Sequence, residues 1–120
     1  MSPKEARIFV VEDDKYYQDG IKQVLEKAGH KVVLTSNEFF DALGKIRGGE
    51  VDKLGIQVIT LDGKLSWVGG EGQLLADEIR KRKPKIKTVG LSNSIEGIDG
   101  ADANVSKREM DRLGEIIDNL

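Results

Sequence analysis

The chain has 120 residues, of which 33% are charged and 38% hydrophobic, and its 21 acidic residues nearly balance its 19 basic residues. This balance argues against nucleic acid as a direct partner. There is no cysteine and one histidine, which excludes disulfides, thiol chemistry, a histidine-based metal cage and a Ser-His-Asp triad. Any chemistry must therefore use carboxylates, hydroxyls and amines.

The length and the absence of repeats or a Pro/Ser-rich linker predict one domain over residues 1–120. No apolar run is long enough to cross a membrane, and the N-terminus lacks the apolar segment of a signal peptide. We therefore expect a cytoplasmic protein that does not contact membranes.

The first half of the chain alternates strands with helices. Residues 8–11 form an apolar run without alternation, which is typical of a strand buried on both faces. A helix is predicted at 15–28, with Asp14 as its cap and Gly29 as its stop. A second strand is predicted at 31–34.

The second predicted helix begins at Ser36 or Asn37 and ends at the Gly48-Gly49 pair. Apolar residues recur along it at steps of three residues. The side chains expected on its buried face are Phe40, Leu43 and Ile46.

The second half continues the alternation. Strands are predicted at 55–61, at 86–91 and, as a short one, at 103–106, with a helix at 73–83. A final amphipathic helix is marked by Met110, Leu113, Ile116, Ile117 and Leu120. This order predicts an α/β fold with an open, doubly wound parallel sheet.

Ligands of such sheets bind beyond the carboxyl ends of the strands, and polar residues stand at four of these ends. They are Glu12, Asp13 and Asp14 after the first strand, Asp62 after the third, Ser92 after the fourth and Lys107 after the fifth.

Several carboxylates near one point repel each other by a few kcal/mol per close pair, at an effective dielectric constant of about 20. They therefore need a cation. Oxygen ligands with few protein donors favour Mg²⁺, and such a site commonly binds a phosphate. An amine and a hydroxyl would contact the phosphoryl oxygens, and a carboxylate can accept the phosphoryl group.

Four segments in this order resemble the active-site segments of response-regulator receiver domains. They are VVEDD at 10–14, VITLD at 58–62, VGLSNS at 89–94 and GADANVSK at 100–107. The resemblance covers essentially the whole chain. It implies a flavodoxin-like α/β fold with five parallel strands in the order 2-1-3-4-5.

The resemblance also implies the residues that bind metal. Asp62 would be the phosphoacceptor and a Mg²⁺ ligand, Asp13 would bind Mg²⁺ directly, and Glu12 would bind it through water. The backbone carbonyl of Lys64 would complete the protein ligands.

In this family a hydroxyl and a lysine contact the phosphoryl group, and these positions fall on Ser92 and Lys107. The expected phosphodonor is a histidine kinase or a histidine phosphotransfer protein. Because no output domain is expected, the phosphorylated form would act on a separate, unknown downstream protein. The only enzymatic steps expected are self-catalysed phosphoryl acceptance and autodephosphorylation.

Ordinary structural roles are open for the same residues. We interpret Asp14 as a helix cap and His30 as a surface residue. Asp62, followed by glycine, also fits a turn. Ser92 also fits local loop hydrogen bonding, and Lys107 also fits a solvated helix start.

Three features differ from the family pattern. The ten residues 93–102 are too few for the full helix that usually follows the fourth strand, so this helix is predicted to be short or absent. Asn104 stands at the position of the switch aromatic, and Arg108 at that of a proline. A glycine-rich loop containing Trp67 follows Asp62, and Trp67 fits either a ligand contact or a cover for the sheet edge.

These differences keep a second interpretation open, in which the chain is a degenerate receiver that acts as a phosphorylation-independent interaction module. A hydrolase that uses the acids with Mg²⁺ is the least favoured interpretation, because the chain has no domain to cover a substrate.

Overall fold

The computed structural model describes residues 5–62, 70–92 and 97–120. Its five strands are β1 (Arg7–Val11), β2 (Lys31–Ser36), β3 (Val58–Asp62), β4 (Lys87–Ser92) and β5 (Ala103–Ser106). They form one parallel sheet in the order β2-β1-β3-β4-β5. The predicted fold class and strand order are confirmed.

The helices are α1 (Lys15–Lys27), α2 (Phe39–Arg47), α3 (Glu50–Lys53), α4 (Glu71–Arg82) and α5 (Leu113–Asp118). A 3₁₀ helix, Lys107–Arg112, leads directly into α5, so the predicted final helix changes type partway along. The single turn of α3 was not predicted. No helix within the described segments is both long and apolar enough to cross a membrane.

The helices cover both faces of the sheet, which explains why β1 is apolar from Ile8 to Val11. Phe9 and Val11 point into the core shared with α2 and α4, whereas Ile8 and Val10 point into the core shared with α1 and α5. A strand buried on both faces has no polar alternation. This arrangement makes β1 a rigid base for the acidic residues that follow it.

Two details of α2 differ from the prediction. Its cap is Glu38, whose Oε1 accepts a hydrogen bond from the Asp41 N–H at 2.9 Å. Ser36 instead ends β2, and its hydroxyl donates to Asp41 Oδ2 at 2.6 Å. The strand extends further than its apolar residues, so the cap lies later than expected.

The buried face of α2 is also rotated from the predicted one. Phe40 is 76% exposed, while Ala42 and Ile46 are fully buried. Phe39 packs partly buried against the core in place of Phe40. A three-residue spacing cannot distinguish two adjacent aromatic residues, since the choice depends on which one faces the sheet.

His30 is buried rather than on the surface, with 4% of its area exposed. Its Nδ1 accepts a hydrogen bond from the Ala6 N–H at 3.1 Å. The proton therefore lies on Nε2, which is 2.9 Å from Asp118 Oδ1. The prediction was wrong because α5, which is distant in sequence, covers this turn at the amino end of the sheet.

Residues 97–102, the described part of the connection from β4 to β5, contain no helix, as predicted. Two side-chain amides hold its backbone instead. Asn104 accepts from the Ile98 N–H at 2.8 Å and donates to the Ile98 carbonyl at 3.2 Å. Gln73 of α4 makes the same pair of bonds with Asp99, both at 2.8 Å. Asn104, at the position of the family's switch aromatic, is thus a structural clamp.

Candidate functional site

The candidate site lies at the carboxyl ends of β1 and β3, which are neighbours in the sheet. Val11 pairs with Leu61, so the residues that follow them, Glu12 and Asp62, lie side by side. Carboxylate oxygens of Glu12, Asp13 and Asp62 all fall within 4.8 Å of one another. Glu12 is fully buried, Asp62 is 4% exposed and Asp13 is exposed.

Lys107 brings an ammonium group to these carboxylates from the end of β5. Its Nζ is 2.9 Å from Glu12 Oε1 and 3.4 Å from Asp62 Oδ1. Ser106, which accepts a hydrogen bond from the Arg108 N–H, caps the 3₁₀ helix in which Lys107 stands. The structure thus brings together four of the predicted site residues from three separate segments.

The pKa of Glu12 is raised from 4.5 to about 8, first by burial and then by its hydrogen bond with Asp62, which together outweigh the lowering effect of the Lys107 contact. Glu12 therefore retains a proton at neutral pH in the absence of a cation. Two acidic groups that share one buried location cannot both ionise without a compensating charge.

The pKa values of the two neighbouring groups move toward their charged forms. Burial pushes the pKa of Asp13 upward, but hydrogen bonds with Asp62 and Glu12 and the charge of Lys107 hold it below 3.8. Burial likewise pushes the pKa of Lys107 downward, but its hydrogen bond and charge interaction with Glu12 hold it above 10.5. Asp13 is thus an anion and Lys107 a cation across the physiological range.

Asp14 is not part of this cluster. Its Oδ1 accepts hydrogen bonds from the Tyr16 N–H at 2.8 Å and the Tyr17 N–H at 3.4 Å, which confirms it as the cap of α1. Helix capping by Asp satisfies backbone donors that have no partner within the helix. The cap starts α1 directly beside the metal-ligand candidates.

Two residues of α1 support the site but were not predicted. Gln18 is 8% exposed and donates to the carbonyls of Glu12 and Ser36, each at 3.3 Å. It thereby ties the end of β1 to the end of β2. Its position on the same helix face as buried Ile21 was a sequence signal, because a polar residue on an apolar face must find a partner.

The second new residue is Tyr17, whose ring centroid lies 4.6 Å from Lys107 Nζ. An ammonium group at this distance from a ring face is attracted by the ring's negative quadrupole. Tyr17 stands four residues before Ile21 on the apolar stripe of α1, a spacing that indicates a packed side chain but not a contact with Lys107.

Ser92 lies at the same edge of the sheet. It is the last residue of β4 and pairs in register with Ser106, while its neighbour Leu91 pairs with Asp62. Its side chain is half-buried. Lys64 and Trp67 lie outside the described residues, so their predicted roles stay predictions.

The donor set of the cluster fits Mg²⁺. Its candidate ligand atoms are all carboxylate oxygens, the donors that a hard divalent cation prefers. Lys107 supplies a single positive charge against three carboxyl groups. Burial first and the neighbouring carboxyl groups second raise the pKa of Glu12, and a divalent cation would favour its ionised form.

No model of a known protein family matches the sequence, and no curated protein matches it. Solved structures do. A CheY-like response-regulator receiver domain from Methanospirillum hungatei JF-1 is 24% identical, with a TM-score of 0.71 over 97% of this chain and 96% of its own. The response regulator TrrA from Thermotoga maritima, solved with Mg²⁺ and a beryllium fluoride, is 26% identical, with a TM-score of 0.77 over 95% of this chain and 97% of its own.

The chain has the fold of a response-regulator receiver domain.

The similarity to receivers spans nearly all of the chain. The receiver domain of Thermotoga maritima CheB matches 98% of it and is itself covered to 98%, at a TM-score of 0.69 and 18% identity. In this chain, the ends of the first, third and fifth strands of the sheet carry the acidic cluster and Lys107.

Proposed function

We propose that the protein is a response regulator that accepts a phosphoryl group on Asp62. The donor is a histidine kinase or a histidine phosphotransfer protein, and phosphorylation changes the binding of a separate downstream protein. The observation that carries this proposal is the buried Asp62 carboxylate, which contacts Lys107 and two further carboxyl groups at the ligand-binding edge of a receiver sheet.

The proposed reaction requires Mg²⁺, held by Glu12, Asp13 and Asp62 together with the backbone carbonyl of Lys64. When bound, this ion would neutralise charge on the transferring phosphoryl group. The solved relatives support the proposal, because TrrA was crystallised with Mg²⁺ and a beryllium fluoride and DrrB in a beryllofluoride-activated form.

In the proposed transfer, a carboxylate oxygen of Asp62 forms a bond to phosphorus while the bond from phosphorus to the donor imidazole breaks. The imidazole nitrogen takes the bonding electron pair. Lys107 moves from its carboxylate contacts to a phosphoryl oxygen, and the Ser92 hydroxyl donates to another. In autodephosphorylation, a water oxygen forms a bond to the same phosphorus while the bond from phosphorus to Asp62 breaks, which restores the carboxylate and releases inorganic phosphate and a proton; no other turnover is proposed.

The Lys107 contacts support this role. The ammonium is held beside Asp62 and is almost wholly removed from water, with 9% of its side chain exposed. A charge that is already desolvated beside the acceptor needs only a short movement to stabilise the negative charge that develops on the phosphoryl group.

A second candidate function is a constitutive interaction module. It is favoured by the Asn104 clamp, because an amide held by two backbone bonds of Ile98 cannot rotate as a switch aromatic does. In this alternative the acidic residues of the site are retained, but phosphorylation does not change the surface that a partner contacts. For both candidate functions, we propose that the protein is cytoplasmic and contacts neither membranes nor nucleic acid directly.

Incubation with Mg²⁺ and acetyl phosphate or phosphoramidate tests the proposal. Intact-protein mass spectrometry should show one added phosphoryl group in the wild type and none in Asp62→Asn or in a metal-free sample. Asp19→Asn, a matched change at an exposed acid of α1, should behave as the wild type. Absence of the modification in the wild type, or its persistence in Asp62→Asn, would reject phosphorylation at Asp62.

A further inference from the structure

The ring of Tyr17 is the uncharged partner of Lys107. Its centroid is 4.6 Å from Nζ, and among the described residues that atom also contacts the carboxyl groups of Glu12 and Asp62. The Lys107 side chain is 9% exposed. The attraction between cation and ring grows as water is removed from around the cation, so this contact stands in a favourable environment.

The local backbone determines where the ring lies. The Asp14 cap accepts a hydrogen bond from the Tyr17 N–H, so the helix start that follows the acidic residues also orients Tyr17. The Tyr16 ring packs edge-on against it, with centroids 5.8 Å apart and planes at 78°. The Asp14 cap and the Tyr16 ring therefore both restrict the orientation of the Tyr17 ring.

Phosphorylation would alter both carboxylate partners of Lys107. An oxygen of Asp62 becomes bonded to phosphorus, and Glu12 is shared with a divalent cation. The ring keeps its negative face in every one of these states. It is thus the one partner among these three that does not change charge or bonding during the reaction.

We propose that Tyr17 is a positioning residue for Lys107, and that its ring holds the ammonium beside Asp62 while the carboxylate partners are exchanged for a phosphoryl oxygen. The inference rests on the proposed function of Asp62. Tyr17 itself contacts no reacting atom and acts through Lys107.

The test compares two substitutions of similar size, Tyr17→Phe, which keeps the ring face, and Tyr17→Leu, which removes it. With acetyl phosphate and Mg²⁺, the Leu variant should be phosphorylated about five- to tenfold more slowly than the wild type. The Phe variant should match the wild type. Phe40→Leu, at an exposed aromatic residue of α2, is the matched control and should leave the rate unchanged.

Repeating the substitution in a variant that lacks the Lys107 ammonium distinguishes a loss of positioning from general damage to the fold. In Lys107→Ala, the further change Tyr17→Leu should have no effect on the remaining rate, because the ring then has no ammonium to hold. NMR should also show that ring-current shifts of the Lys107 ε-methylene protons persist in Tyr17→Phe and vanish in Tyr17→Leu.

The outcomes distinguish the two proposals. If the wild type takes up no phosphoryl group, the function proposed for Asp62 fails and the positioning role falls with it. If the wild type is phosphorylated and Tyr17→Leu reacts at the same rate, only the positioning role is overturned. An equal loss with and without Lys107 would also overturn it.

Discussion

Glu12 provides the sharpest test of the site's electrostatics, because it is fully buried and its pKa is raised from 4.5 to about 8. The change Glu12→Gln keeps the size and a hydrogen-bond acceptor for the Asp14 N–H, which lies 3.3 Å from Glu12 Oε2. It removes the ability to ionise, and it also places an amide NH₂ group where Glu12 Oε1 contacts Lys107 Nζ at 2.9 Å. The loss of that contact does not depend on pH between pH 5 and pH 9, so the pH dependence of the difference between the two proteins reports the cost of the buried negative charge.

The upward shift of the Glu12 pKa determines how the stability of the protein changes with pH. Because the folded protein binds the Glu12 proton more tightly than the unfolded chain, the proton contributes its full stability below pH 4.5. This contribution is lost as the pH rises toward 8. One pKa unit corresponds to about 1.4 kcal/mol, so the full change is at most about 4 to 5 kcal/mol, a large part of a typical domain stability of about 5–15 kcal/mol.

The pKa shifts of Asp13 and Lys107 affect stability outside the range from pH 4.5 to pH 8. The lowered pKa of Asp13 gives stability that is lost only as the pH falls below 3.8. The raised pKa of Lys107 gives stability that is lost only above 10.5. Between pH 5 and pH 9, the difference between wild type and variant therefore reports on Glu12.

The assay is urea unfolding from pH 5 to pH 9 with a chelator present. From pH 5 to pH 9, the free energy of unfolding of Glu12→Gln should rise relative to that of the wild type by about 2–4 kcal/mol. Glu26→Gln, the same change at an exposed position of α1, is the control and should parallel the wild type throughout. If Glu12→Gln also parallels the wild type, the buried, protonated Glu12 is refuted.

Added Mg²⁺ should raise the thermal midpoint more at pH 9 than at pH 6, because binding at Glu12 must displace its proton; equal gains would count against this site. Asn104→Ala should lower the free energy of unfolding by about 1–3 kcal/mol in urea titrations, because it leaves a partly buried backbone N–H and carbonyl of the connection without their partner. Gly20→Ala should add about 0.5–1 kcal/mol, since a methyl group there meets only ordinary contacts. Gly114→Ala should cost about 1 kcal/mol, since its methyl group would overlap the Ala28 side chain.

Internal controls make the Asn104→Ala and Gly114→Ala predictions specific. Asn119→Ala removes an exposed amide that donates to a carbonyl within its own helix, and it should cost less than Asn104→Ala. Ala28→Gly should recover the stability lost in Gly114→Ala, because it removes the overlapping methyl group. A double variant as unstable as Gly114→Ala alone would rule out the overlap as the cause.

The sequence predicted the elements because their signals are local. An apolar run at residues 8–11 suffices for a doubly buried strand, and Asp14 before a periodic helix suffices for its cap. The acidic residues could be assigned to one edge of the sheet since parallel strands share that edge. These arguments require no knowledge of which side chains finally touch.

Contacts between distant segments of the chain determine which side chains are buried and which partners they contact. His30 is buried because α5 covers it, and Phe40 is exposed because Phe39 took the place facing the sheet. Neither outcome is visible in the few residues around it, since each depends on packing between elements far apart in the chain.

The chemistry of the site divides in the same way. The sequence by itself determined that carboxylates, a hydroxyl and an amine follow the strands at Glu12, Asp13, Asp62, Ser92 and Lys107. Only the tertiary structure paired Val11 with Leu61, enclosed Glu12 and placed Lys107 between two carboxylates and a ring. A pKa depends on the water and charges around a group, and these are fixed only when the strand register and the packing of α1 are complete.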